Sequence, residues 1–184
     1  VEAVGDWLRR RRPPHVVLDP VMVATTGGRL ASEDAAGMLR ELVPLADLVT
    51  PNVPELGVLR GEETAEHIET IVGQAELVHE HTGCAVLATT GDLDDGSADD
   101  VLVESTGDRR ITRRLPFVRI DTPHTHGTGC SLSSALATAR VGAPDWESAY
   151  RRVRPWMDGA LIGGLGLGVG GGSGPLDHTW FLHR

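Results

Sequence analysis

The chain has 184 residues, 40% of them hydrophobic and 23% charged, with a formal net charge of −9. Such values describe a globular chain long enough to bury a core, and the acidic balance argues against a nucleic-acid partner. No apolar run approaches a membrane span and no signal peptide opens the chain, so a cytoplasmic protein with no membrane partner is expected.

All 17 residues of the Lys+Arg count are arginine. The absence of lysine excludes a P-loop lysine and a lysine Schiff base from any mechanism. The two cysteines, Cys84 and Cys130, imply no disulfide framework. The chain opens on Val1 inside a helical pattern, and the expectation is either a longer natural polypeptide or a chain inactive alone.

In chain order, Val1 to Arg12 reads as a helix stopped by Pro13-Pro14, with Arg9 to Arg12 as its solvated, dipole-favoured end. His15 to Asp19 reads as a short buried strand. Ser32 is placed to cap a helix with Ala35, Met38, Leu39 and Leu42 on its apolar face. Leu48 to Thr50 forms a second strand closed by Pro51-Asn52. A helix from about Thr64 carries Ile68, Ile71, Val72, Ala75 and Val78 on one side and ends at Gly83. Ala85 to Thr89 is a third strand, preceded by Cys84 as a small core residue. Val101 to Val103 with Ile111 to Leu115 predicts a hairpin at the sheet margin.

From Cys130, the set Leu132, Ala135, Leu136 and Ala139 repeats at helical spacing up to Gly142. Asp145 caps a last helix reaching about Leu161, which Pro155 is expected to kink or split. Residues 163–174 are dominated by glycine and read as a flexible or tightly turned segment. Alternation of strand and helix predicts an α/β protein, mainly parallel, with helices on both faces of its sheet. Ligands gather at the carboxyl ends of strands in such sheets, and Asp19, Asn52 and Thr89 fall at three of them.

The sharpest feature is His126-Gly127-Thr128-Gly129-Cys130 opening an apolar helix. Glycines permit a tight bend, and the first-turn amides and helix dipole together favour an anion such as a phosphate. A cysteine there is set to have a lowered pKa and to serve as a thiolate base. The alternative is a glycine-rich helix start with a buried cysteine.

The block Thr122-Pro123-His124-Thr125-His126-Gly127-Thr128-Gly129-Cys130-Ser131 resembles the signature of the hydroxymethylpyrimidine and phosphomethylpyrimidine kinases, members of the ribokinase-like superfamily. Three further blocks agree in order: Val17 to Met22 with the substrate strand, Thr50 to Glu55 with the Asn-x-x-Glu element, and Gly174 to His178 with the C-terminal ending. The resemblance implies a single ribokinase-like kinase domain over residues 1–184, lacking the family's N-terminal part. It implies ATP and Mg2+ as cofactors and a small-molecule pyrimidine as substrate, and it leaves a homodimer open.

By the same resemblance, Cys130 is the base that takes the proton of the substrate hydroxymethyl group, and Gly127, Thr128 and Gly129 stabilise the transferred phosphoryl. Asn52, Thr89 and Thr128 lie at the nucleotide, Asp19 and Glu55 serve the metal, and Val21 packs against the pyrimidine. Taken alone, Asn52 and Glu55 also read as a turn former and an exposed helix charge, and Asp19 as a strand-end turn residue. The implied activity is ATP-dependent phosphorylation of 4-amino-5-hydroxymethyl-2-methylpyrimidine and its monophosphate in thiamine biosynthesis.

Some positions depart from the pattern. Thr89-Thr90-Gly91-Asp92 stands where the family carries Lys-Gly-Gly-His, and is similar to an element of pyridoxal kinases. His124 replaces an asparagine. A pyridoxal kinase-like enzyme is therefore the nearest alternative, and a non-catalytic pyrimidine-binding remnant is the alternative of a different class.

Overall fold

The computed structural model describes residues 1–22, 33–91, 93 and 98–182. Ser32 and Asp92 lie outside the described residues. The chain divides into two compact units, Val1–Phe117 and Val118–Arg184.

The first unit holds a five-stranded sheet: β1 (Val17–Leu18), β2 (Leu48–Val49), β3 (Ala85–Ala88), β4 (Asp99–Thr106) and β5 (Arg109–Pro116), in that spatial order. Pairing is parallel through β1, β2 and β3, then antiparallel from β3 to β4 and β4 to β5. The sheet is thus mixed, with the expected hairpin at its margin. Parallel pairing continues past the short strands as a bridge between Asn52 and Thr89, with the Thr89 N–H donating to Pro51 O at 2.9 Å.

Helices of this unit are α1 (Glu2–Arg10), α2 (Glu33–Leu42), α3 (Val53–Arg60) and α4 (Ile68–Thr82). The core draws on Val49, Leu56, Ile71, Ala75, Val86 and Val101. Cys84 is buried among these groups as the sequence predicts. Burial first, and the Asp47 carboxylate second, push its thiol up to about 12.

Two differences from the sequence reading matter. Helix α3 was not foreseen. It forms because Asn52 and Glu55 make a reciprocal capping box and Pro54 sits in the first turn, where no N–H is needed. Helix α4 begins at Ile68 rather than near Thr64. Residues 61–67 turn the chain back, and the Gln74 amide donates to the Glu62 carboxylate and to Glu63 O in that turn.

Strand β5 is tied to α4 by ion pairs, Arg110 with Glu76 at 3.3 Å and Arg114 with Glu69 at 2.9 Å. These are exposed pairs, each contributing about 0.2–1 kcal/mol. They orient the hairpin; apolar burial supplies most of its stability.

The second unit pairs α5 (Thr128–Arg140) with α6 (Trp146–Gly164). Asp145 caps α6 as expected, its side chain accepting from Ser148 N at 2.7 Å. The expected split at Pro155 does not occur, and one helix runs through it. Pro155 and Arg151 both lie on the exposed side of the helix, which is where the bond lost to proline falls, while Val153 and Met157 on the other side are buried. Gly163 and Gly164 belong to this helix. The tail then lies against it, with Trp180 so close that a Cβ on Gly159 would meet its ring at 2.2 Å. Among the described residues no helix is long and apolar enough to cross a membrane.

Candidate active site

In the first unit the candidate residues sit at the carboxyl ends of the parallel strands. Asn52 follows β2 and caps α3: its Oδ1 accepts from Glu55 N at 2.8 Å, and Glu55 Oε2 accepts from Asn52 N at 3.0 Å. Glu55 is 4% exposed, so the reading of it as an exposed helix charge is overturned. Its Oε1 also accepts from Met22 N at 3.2 Å, across 33 residues of sequence. One buried carboxylate therefore fixes the strand-end turn after β2 and the chain just after β1. That second bond holds Met22 inside, while its neighbour Val21 stays 45% exposed, available to a ligand.

Asp19 follows β1 and is half-buried. Thr89 is joined to Asn52 through the parallel bridge and is half-buried, whereas Thr90 beside it is sealed. The Thr90 N–H donates to Asp100 Oδ1 at 3.0 Å and its hydroxyl to Asp99 O at 2.9 Å. Asp100, itself buried on β4, thus braces the end of β3. Sequence reasoning passed over it; an acid directly preceding the apolar run Val101 to Val103 was the available signal.

Among the described residues no group of three acidic, histidine or cysteine side chains could hold a metal ion by itself. The two carboxylates at hand, Asp19 and Glu55, suit a cation that keeps much of its water and takes oxygens from phosphate. Glu55 Oε1 and Oε2 each accept a backbone N–H, from Met22 and Asn52.

In the second unit, the glycine-threonine-glycine bend opens α5 as the sequence predicts. Gly127 is the N-cap at φ 87, in the left-handed region that a residue with a Cβ rarely adopts. Ser131 N returns to Gly127 O at 2.9 Å, closing the first turn. Thr128 is committed inward: its N–H and hydroxyl both donate to Thr125 O, at 3.2 and 2.6 Å. The first-turn amides of a helix have no intrahelical acceptor, and with the dipole they leave this end suited to an anion. Cys130, in this turn, is exposed, which removes the alternative of a buried cysteine.

His124 finds its explanation here. Gly174 N donates to its Nδ1 at 3.1 Å, His126 N donates to Gly174 O at 3.3 Å, and His126 bridges Pro175. Ser173 Oγ adds a bond to Pro123 O at 2.9 Å. The end of the glycine-rich segment is thereby fastened to the loop that leads into the bend.

Gly127, Cys130 and Ser131 share a groove of about 730 Å³ with Arg152, Trp156 and His178. Ser131 Oγ meets His178 Nε2 at 2.7 Å, and the His178 ring lies 5.9 Å from that of Trp156. His178 stood in the C-terminal block of the sequence with no role attached, and its contact spans 47 residues.

With this geometry in place, comparison with known proteins is informative. The family model for phosphomethylpyrimidine kinase matches residues 1–177. A thiamine biosynthesis multifunctional protein of Corynebacterium efficiens is 41% identical over 184 residues, covering 100% of this chain and 24% of that protein. The hydroxymethylpyrimidine/phosphomethylpyrimidine kinase of Escherichia coli is 39% identical over 180 residues, 97% of this chain and 66% of the enzyme. The chain thus spans only part of the length of the relatives it matches. Among solved structures, an ADP complex of Bacillus subtilis pyridoxal kinase superposes with a TM-score of 0.81 at 27% identity, covering 100% of this chain and 67% of that one. A phosphomethylpyrimidine kinase from Clostridium difficile gives 0.70 at 26% identity, covering 84% and 61%.

Proposed function

The chain belongs to the phosphomethylpyrimidine kinase family, with the ribokinase-like α/β fold, and from that premise we propose that it carries out ATP-dependent phosphoryl transfer to hydroxymethylpyrimidine and its monophosphate in thiamine biosynthesis. The observation that carries this reading is the bend at Gly127 feeding α5, with Cys130 exposed in its first turn.

The chemistry follows from these residues. Cys130 takes the proton of the substrate hydroxymethyl group as that group's oxygen attacks the terminal phosphorus of ATP and ADP leaves, and the amides at Gly127 and Gly129 receive the charge on the transferred phosphoryl oxygens. Thr128 shapes the bend, since its N–H and its hydroxyl are both held by Thr125 O. Asn52 and Thr89 face the nucleotide phosphates, and Val21 packs on the pyrimidine. Asp19 and Glu55 would hold Mg2+, which when bound would neutralise phosphate charge. No lysine is needed for this set, because transfer through a loose transition state depends on positioning and charge.

ADP release by the natural polypeptide carrying this chain, with hydroxymethylpyrimidine, its monophosphate and pyridoxal as competing acceptors, tests the reading. Turnover of both pyrimidines above pyridoxal is expected. Preference for pyridoxal would move the assignment to the vitamin B6 kinases, whose members also share the fold. Pyrimidine binding in calorimetry without ADP release would make the chain a binding protein.

A further inference from the structure

We propose that residues 173–180 form a strap that imposes the shape of the anion bend, and that Trp180 is the positioning residue that holds the strap in place. The effect on catalysis rests on the function proposed above; the effect on the bend does not.

The bend cannot specify itself. Its glycines permit the sharp turn but leave the backbone free to take many others, and glycine loses more freedom on ordering than any other residue. Local bonds close the first turn of α5, from Ser131 N to Gly127 O and from Thr128 N to Thr125 O. Further contacts come from the tail, and they follow the bend in chain order. Ser173 Oγ donates to Pro123 O at 2.9 Å, and Gly174 bonds to His124 and His126. Pro175 bridges His126. Leu176, buried, lies 3.9 Å from where a Cβ on Gly127 would stand. His178 Nε2 then lies 2.7 Å from Oγ of Ser131, the residue after Cys130. Two stretches 47 to 50 residues apart in sequence therefore run side by side past the first turn.

The strap is itself set by α6. Gly159 and Gly163 stand about one turn apart on that helix and open a notch in its side, although glycine is a poor helix former. The Trp180 ring fills the space that a Cβ on Gly159 would need. Asp177 Cβ and Trp180 Cβ lie 2.9 and 3.0 Å from where a Cβ on Gly163 would stand. Trp180 Nε1 donates to Trp156 O at 3.1 Å, and Asp177 N donates to Ala160 O at 2.9 Å. Between these two anchors the chain delivers His178 to α5. Helix α6 thus reaches the Cys130 turn through the tail, and a displacement of about 1 Å at such a site costs about a hundred-fold in rate.

Trp180→Ala empties the notch, and two measurements on the natural polypeptide carrying this chain read the result. Hydrogen exchange followed by mass spectrometry should quicken about ten-fold or more in residues 124–131 and stay within about two-fold in residues 132–140, the rest of α5. In ADP release, kcat should fall about 10- to 100-fold while KM for the pyrimidine stays within about three-fold, because the bend serves the transferred group. Trp180→Phe still fills the notch and should restore both to within about three-fold. Ser131→Ala cuts the last contact of the strap and covers the case of a Trp180 variant that does not fold. It should lower kcat about three- to ten-fold, and Ser131→Thr should restore it. Exchange that rises equally along all of α5, a loss confined to KM, or unchanged kcat in Trp180→Ala and Ser131→Ala overturns the proposal. An unmodified polypeptide that turns over neither pyrimidine removes the proposed function, and the exchange pattern then decides the strap by itself.

Discussion

The backbone N–H of Gly174 points at Nδ1 of His124 across 3.1 Å, and a Cβ on Gly174 would come within 2.2 Å of that same nitrogen. The two residues lie 50 positions apart and join the loop before the anion bend to the end of the glycine-rich segment. Gly174→Ala must therefore displace the imidazole and break the bond, at a cost of about 1–3 kcal/mol. His124→Ala loses the bond without the clash, at about 0.5–1.5 kcal/mol. Urea denaturation checks both. An unmoved midpoint for Gly174→Ala would show that this junction does not support the fold.

Glu55 offers a second test. Replacing it by alanine leaves two backbone donors, Asn52 N and Met22 N, without the Glu55 carboxylate and removes the glutamate half of the α3 capping box, while Asn52 still caps the helix. The expected loss is about 2–4 kcal/mol, with Glu55→Gln intermediate because one oxygen remains. Equal stabilities for the two variants in urea would mean that the carboxylate is not holding both strand ends.

For Cys130, activity and stability should separate. The side chain is exposed, so Cys130→Ala should shift the denaturation midpoint by less than about 0.5 kcal/mol. The same change should lower turnover of the natural polypeptide about 10²- to 10⁴-fold, the span of a lost general base. Turnover within a few-fold of the unmodified enzyme would assign proton removal elsewhere.

Cys84 predicts an alkaline limit. Burial raises its folded-state pKa to about 12, above the unfolded value, so the folded chain keeps a proton that the unfolded chain releases. By linkage, this group's contribution to stability is intact below the unfolded pKa of roughly 8.5 and falls by about 1.4 kcal/mol per pH unit as pH climbs toward 12. Comparing midpoints at about pH 8 and about pH 10 in the unmodified chain and Cys84→Ala isolates the slope. Identical slopes would refute it.

Elements with strong local patterns were legible from the sequence. The strands Val17–Leu18, Leu48–Val49 and Ala85–Ala88 follow apolar runs bounded by prolines and glycines, and α5 follows its own periodicity. Helix α3 escaped because it has only eight residues and contains a proline; Asn52-x-x-Glu55 drew notice as a motif, and its simpler meaning as a capping box went unread. Pro155 misled in the opposite direction, since local helix rules do not see that it falls on the exposed side of a helix buried on the other. In the site, Gly127 to Cys130 was readable because bend, amides and thiol are contiguous. Contacts between distant residues were not. Glu55 with Met22, His124 with Gly174, and Ser131 with His178 join positions 33 to 50 residues apart, and no spacing rule connects them.

The brace between Thr90 and Asp100 reaches beyond stability. It lies where β3 meets its antiparallel neighbour, so the hairpin is a structural partner of Thr90, just past β3, as well as the margin of the sheet. Exchanging that hairpin for one from a related protein would transmit its register to Thr90. A transplanted segment with an apolar residue at the Asp100 position would leave the Thr90 amide stranded in the interior. Variation in the outer strands is thereby coupled to the geometry next to Thr89, and the two behave as one inherited piece.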